Sequence, residues 1–179
     1  MNRLEDLLKD VDAQGVAPVE RWNPPYCGDI GLSITRDGRW FYQGGVIPRP
    51  ALVKLFARVL RRDEDEKFYL VTPAEKVDVT VEDAPFLAVE MQRVGEGRDQ
   101  SLIFRTNVDD VVRCGPDHPL RFVIEGGGGS GFKPYVHVRG RLEALVTRAL
   151  VYDLVELAEE GPDGASGIWS GGAFFPLPE

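Results

Sequence analysis

The stretch RFVIEGGGGSGFKPYVHVRG, Arg121 to Gly140, admits two readings that lead to different folds. Gly126, Gly128 and Gly131 satisfy G-x-G-x-x-G, and Lys133 follows closely enough to suggest a phosphate loop. A dinucleotide fingerprint needs a strand before the glycines and a helix after them, so that the helix N-terminus faces the phosphates. Here LRFVIE comes before, but KPYVHVRG comes after. Pro134 and the alternation of Val136 and Val138 with Tyr135, His137 and Arg139 predict a strand instead. The P-loop reading fails twice: Phe132 intrudes before Lys133, and Pro134 stands where Ser or Thr must hold magnesium. The stretch therefore reads as two antiparallel strands joined by a glycine connection, which accepts positive φ at little steric cost. Its functional reading is a mobile lip over a binding cleft, with Lys133 and Tyr135 at the edge.

Outward from this stretch, strands and helices separate by period. Ile30, Leu32 and Ile34 alternate, the chain turns at Asp37-Gly38, and Trp40, Phe41 and Tyr42 resume: a hairpin. Pro48 and Pro50 suit the start of a helix, after which Leu52, Leu55, Phe56, Val59 and Leu60 form one stripe, with Arg61 and Arg62 near its C-terminal end. Strands follow at FYLVT (68–72), VDVTVE (77–82), FLAVEMQRV (86–94), SLIFRT (101–106), DVVRC and LRFVIE. Leu142, Leu145, Val146, Ala149 and Leu150 repeat the five-position helical stripe, and Arg58-Val59-Leu60 aligns with Arg148-Ala149-Leu150. This pattern raises an internal duplication: two α+β halves joined by the long antiparallel meander. Leu4, Leu7, Leu8 and Val11 predict a short amphipathic N-terminal helix before Gly15.

The 179 residues suffice for one generous domain or two small subdomains. With 43% hydrophobic and 28% charged residues, the composition is that of an ordinary soluble globular protein. A net charge of −8 argues against a general binder of nucleic acid or anionic membrane, either of which needs a positive field. The charged N-terminus is no signal peptide and no apolar run approaches a membrane span, so a cytoplasmic location with reduced thiols is expected.

Little in the pattern announces chemistry. Cys27 and Cys114 show neither C-x-x-C spacing nor a Cys/His cluster, so no metal site and no cofactor is expected. His118, in GPDHPL, reads as part of a surface turn, and His137 as a structural histidine on its strand. Asp109-Asp110, Glu82-Asp83 and the run Asp63–Glu66 read as solvated turns, and Trp22, Trp40 and Trp169 as core anchors.

The phrases CGDIGLSITRDGRWFYQGGVIPRPALVKLFARVLRRD, YLVTPAEKVDVTVEDAPFLAVE, FRTNVDD, HPLRF, KPYVHVRGRLEAL and WSGGAFFPL together closely resemble a bacterial domain-of-unknown-function family, number 1285. The likeness spans Trp22 to Pro178 and leaves only the N-terminal helix outside. It implies an α+β fold of two structurally similar subdomains, and a signal-transduction role has been suggested for the family. No established catalytic residues come with it, so none are carried over.

The resulting expectation has three parts: an N-terminal helix (1–20), a first α+β subdomain (21–95) and a second (96–179), each of antiparallel strands packed with one main helix. The function expected is a non-catalytic ligand-binding or signal-transduction module. A hydrolase-like enzyme and a protein–protein adaptor stand as alternatives, and the oligomeric state is open. Tyr135, His137 and Arg139 share one strand face by parity, and with Lys133 they form the candidate binding set for a small anionic or polar ligand. The expected cleft lies between the subdomains.

Overall fold

The alternating segments do pair as strands in a computed structural model that describes residues 17–125 and 131–178. The N-terminal stripe Leu4–Val11 and the glycines of the run before Gly131 lie outside the described residues. The chain divides into two units, Met1–Pro85 with Gly140–Leu142, and Phe86–Arg139 with Glu143–Glu179.

In the first unit a 3-10 turn, Val19–Arg21, comes before the sheet. The sheet contains β1 (Leu32–Ile34), β2 (Trp40–Tyr42), β3 (Gly45–Val46), β4 (Leu60–Arg62), β5 (Phe68–Val71) and β6 (Lys76–Val81), in the order β3-β2-β1-β6-β5-β4. The β1–β2 hairpin turns where Asp37-Gly38 predicts it, with Gly38 at φ 84°. β1 and β6 run parallel, Leu32 opposite Val79 and Ile34 opposite Val81, while all other pairs are antiparallel. One sheet face carries Leu32, Ile34, Trp40, Leu60, Leu70, Val77 and Val79, all buried. Helix α1 (Pro50–Arg58) covers it through Phe56, whose ring stacks on Trp40 at 6.2 Å between centroids. Each such side chain, fully buried, contributes about 1.5–3 kcal/mol.

The opposite face is polar and held by one charge network. Arg61, Tyr69 and Asp78 lie in one cross-strand row. The buried Arg61 guanidinium donates to the carbonyls of Val19 and Trp22, each at 2.8 Å, and to Asp63 at 2.6 Å. Lys76 reaches the other Asp63 oxygen at 3.0 Å and lies 4.4 Å from the centre of the Tyr69 ring. Arg61 thus ties the segment ahead of the sheet to strand β4.

The second unit repeats this plan. β7 (Phe86–Val94), β8 (Ser101–Thr106), β9 (Val111–Arg113), β10 (Leu120–Ile124), β11 (Phe132–Arg139) and β12 (Leu142–Val146) form a sheet in the order β10-β11-β12-β7-β8-β9. Here too the first and last strands pair in parallel, Ala144 opposite Phe86 and Val146 opposite Ala88. Helix α2 (Arg148–Glu156) follows, with Leu154 buried. A small sheet of β13 (Glu159–Glu160), β14 (Ser166–Ser170) and β15 (Ala173–Pro176) ends the chain. Ser170 fastens it to β8 and β9: its hydroxyl accepts from the Leu102 N–H at 2.8 Å and donates to the Cys114 carbonyl at 2.7 Å. Gly167 lets the Phe174 ring lie flat against the strand, since a Cβ there would come within 2.5 Å of it.

The α+β class and the two similar halves expected from the sequence are therefore present, but two helical stripes need correction. The first helix ends at Arg58, and Leu60, Arg61 and Arg62 belong to β4. Val59, β-branched and at ψ 10°, closes the helix, and Leu60 is then taken up by pairing with Leu70. The second stripe is no continuous helix. Leu142, Ala144 and Val146 alternate with Glu143 and Leu145 as strand β12, and α2 begins after Thr147. The helices also interrupt the two sheets at different points, α1 after the third strand and α2 after the sixth. The repeat therefore lies in the strand order, and the alignment of Arg58 with Arg148 has no counterpart in it. Nor is the β7–β9 meander a connector; it is half of the second sheet.

Burial of Asp63 favours its neutral form, but the hydrogen bonds and charges of Arg61 and Lys76 outweigh it and hold the carboxyl below its ordinary 3.8. A depressed folded value stabilises the fold above the unfolded value, and that stability is lost as pH falls through the folded one. Asp63→Asn should thus be less stable than the parent at pH 7. In urea titrations across pH 7 to 2.5 the two midpoints should converge below about pH 4. A constant difference across that range would contradict the network.

Candidate functional site

In the second unit, β11, β12 and α2 enclose a groove of about 580 Å³. Three facts of sequence build it. The alternation of β12 leaves Leu145 half-buried at the strand end, and Val146 closes the floor. Thr147 is extended and turns the chain into α2. The helix then presents Val151, Tyr152 and Val155 along one wall, at the i, i+1 and i+4 positions. Tyr152 is 65% exposed, although its body is apolar. Phe132, Lys133 and Pro134 make the facing wall, and Glu125, Arg148 and Glu156 supply charge to the lining. Most of the surface is apolar with a few charged groups set into it, the usual make-up of a small-molecule site.

Of the four residues singled out on β11, only Lys133 reaches this groove. Tyr135 is buried with the Arg121 guanidinium 4.5 Å from its ring centre, and Arg121 is held in turn by a two-pronged pair with Glu143 at 2.8 and 3.0 Å. Arg139 pairs with Asp110 at 2.6 Å and lies over the Phe86 ring. His137 meets His118, with Nδ1 atoms 3.2 Å apart and ring centres 5.2 Å apart. The shared parity of Tyr135, His137 and Arg139 therefore places them in three successive contacts along the strand, each with its own partner. The groove-lining residues of α2 were absent from the sequence expectation. Their signal was an exposed Tyr152 and Val155 on a helix whose buried face needs only Leu154.

The remaining reactive groups are dispersed. Cys114 is buried, and burial pushes its thiol up to about 12 against the opposing hydrogen bond of Ser170, whereas Cys27 is exposed. Among the described residues no group of three or more His, Cys, Asp or Glu side chains is arranged to hold a metal ion. No described helix is long and apolar enough to cross a membrane.

Two matching six-stranded sheets, each with one helix among the described residues, and a groove in the second unit define an α+β protein of paired subdomains. The comparisons give the family. Residues 17–84 match the model of the DUF1285 N-terminal domain, described as a domain of unknown function, and residues 85–177 match the DUF1285 C-terminal domain, described as a protein of unknown function. The chain belongs to the DUF1285 family. It is similar to the crystal structure of a DUF1285 family protein from Silicibacter pomeroyi DSS-3, with 47% identity, coverage of 99% of this chain and 95% of that one, and a TM-score of 0.91. A DUF1285 family protein from Shewanella baltica OS155 is 27% identical over 70% of this chain and 90% of that one, at a TM-score of 0.53. No curated protein matches.

The two thiols should differ sharply in reactivity, because the thiolate is the nucleophile. With Ellman's reagent at pH 8 the native chain should release one equivalent quickly, from Cys27, and the second only on unfolding in guanidinium. Two fast equivalents from the native chain would refute the buried, protonated state of Cys114.

Proposed function

We propose that the chain is a non-catalytic, cytoplasmic binding module whose second unit takes a small amphipathic ligand in the groove between α2 and β11–β12. Occupancy of that groove would serve as the signal in a transduction role. The observation that carries this reading is the apolar wall of Val151, Tyr152 and Val155 facing Lys133 across about 580 Å³, within the range of small-molecule sites. Lys133 and Arg148 suit an anionic or polar head, and the apolar wall suits a hydrocarbon or aromatic body. The hydrolase alternative has weaker support. His118 and His137 contact each other rather than a nucleophile, and Cys114 is held as the thiol. An adaptor role has one feature in its favour, the sheet-edge strand β10 with Ile124 56% exposed.

An amphipathic aromatic anion, anilinonaphthalene sulfonate, is a suitable probe. Its fluorescence should rise saturably on titration with the full chain and be displaced by decanoate. Val151→Asp, a half-buried surface position, should weaken the probe by at least about tenfold, since it puts a charge into the apolar wall. Linear, non-saturating fluorescence, or saturation unchanged in Val151→Asp, would overturn the reading.

A further inference from the structure

We infer that His118 and His137 form a two-imidazole clamp for a transition-metal cation of the Zn²⁺, Ni²⁺ or Cu²⁺ class. The residues are nineteen positions apart in sequence, and the β10–β11 hairpin brings them together. Backbone hydrogen bonds fix both. His118 closes a tight turn, donating its N–H to the Gly115 carbonyl at 3.2 Å and accepting from the Gly115 N–H at 3.1 Å. The His137 N–H donates to the Pro119 carbonyl at 3.0 Å. The rings are half-buried and tilted by 34°, with their Nδ1 atoms 3.2 Å apart.

That spacing is the one a metal asks for. Two imidazole nitrogens bound at about 2.0–2.1 Å to a tetrahedral ion stand about 3.3–3.4 Å from each other. His118 Nδ1 is also 3.2 Å from the His137 carbonyl oxygen, which can only accept, so the tautomer that makes this bond carries its hydrogen on His118 Nδ1 and turns the His137 Nδ1 lone pair toward it. On binding from that tautomer, the His118 proton moves from Nδ1 to Nε2 and both Nδ1 lone pairs turn to the ion. Imidazole is the ligand that borderline cations share, which selects Zn²⁺, Ni²⁺ and Cu²⁺ over Mg²⁺ and Ca²⁺. The charge environment allows it: Asp117 adjoins His118, and the Arg139 cation, two residues from His137 on the same face, is neutralised by Asp110 at 2.6 Å. With two protein ligands, the remaining positions go to water or to an incoming donor, so the ion binds exchangeably.

The chain has only two histidines, which makes the test direct. ZnCl₂ is titrated into the untagged full chain and followed by calorimetry and by the imidazole resonances. One equivalent should bind, and the ring signals of His118 and His137 should move together, NiCl₂ broadening both. His118→Gln and His137→Gln should each weaken binding at least about tenfold. The ring resonances of the unsubstituted chain keep the test independent of how the variants fold. Rings unmoved by ZnCl₂, NiCl₂ and CuCl₂, movement of one ring alone, or affinity retained in both variants would each overturn the clamp.

Discussion

Each half depends on the parallel pairing of its first strand with its last, β1 with β6 and β7 with β12. Two parallel neighbours cannot be joined by a tight turn, so the chain must leave along one meander and return along another. The flanking strands then add outwards in antiparallel pairs, which produces the same six-strand order twice. On one face of each parallel pair the residues are almost wholly buried: Leu32 and Val79 in the first unit, Phe86 and Ala144 in the second. Exposed apolar residues fall on edge strands, Val46 on β3, Val111 on β9 and Ile124 on β10, and at the far end of β7, Val94. The helices are additions to this frame, which is why they can enter it at different points without altering the strand order.

The same frame explains which features were legible in sequence. Hairpins were readable because turn chemistry is local: Asp37-Gly38 and the alternation around it decide β1–β2 without reference to anything distant. The strand after the glycine run was readable for the same reason, from Pro134 and the period of Val136 and Val138. The strand β12 was not. Leu142, Leu145 and Val146 satisfy a helical stripe, while Leu142, Ala144 and Val146 satisfy a strand, and five residues are too few for period alone to decide. What decides is β7, more than fifty residues earlier, which offers Phe86, Leu87 and Ala88 as parallel partners. Leu60 to Arg62 behaves alike, drawn out of the helical stripe by β5. Strand pairing won over the helical stripe in both places, through a distant strand for β12 and through the next strand along the chain for β4.

The site was legible in part. Lys133, which lines the groove, stands out in sequence because it follows the glycines and begins an alternating strand. Its apolar counterparts on α2 are hidden by the same misplaced stripe, since a helical stripe of Leu142, Leu145, Val146, Ala149 and Leu150 leaves Val151 and Val155 off its face. The imidazole pair could not be read at all: neither His118 nor His137 has a metal-ligand spacing, and only the pairing of Leu120 with Val136 sets them side by side. Tyr135 and Arg139, conspicuous in sequence, instead satisfy Arg121 and Asp110 within the sheet.

On this frame the parallel pair is the last part of each half to open. Hydrogen–deuterium exchange read by mass spectrometry addresses it directly, because protection scales with the free energy of opening. Peptides covering 32–34, 76–81, 86–88 and 142–146 should exchange slowest, and those covering 45–46, 111–113 and 120–124 earliest. Edge strands exchanging as slowly as these central ones, or the central pairs opening first, would contradict the account.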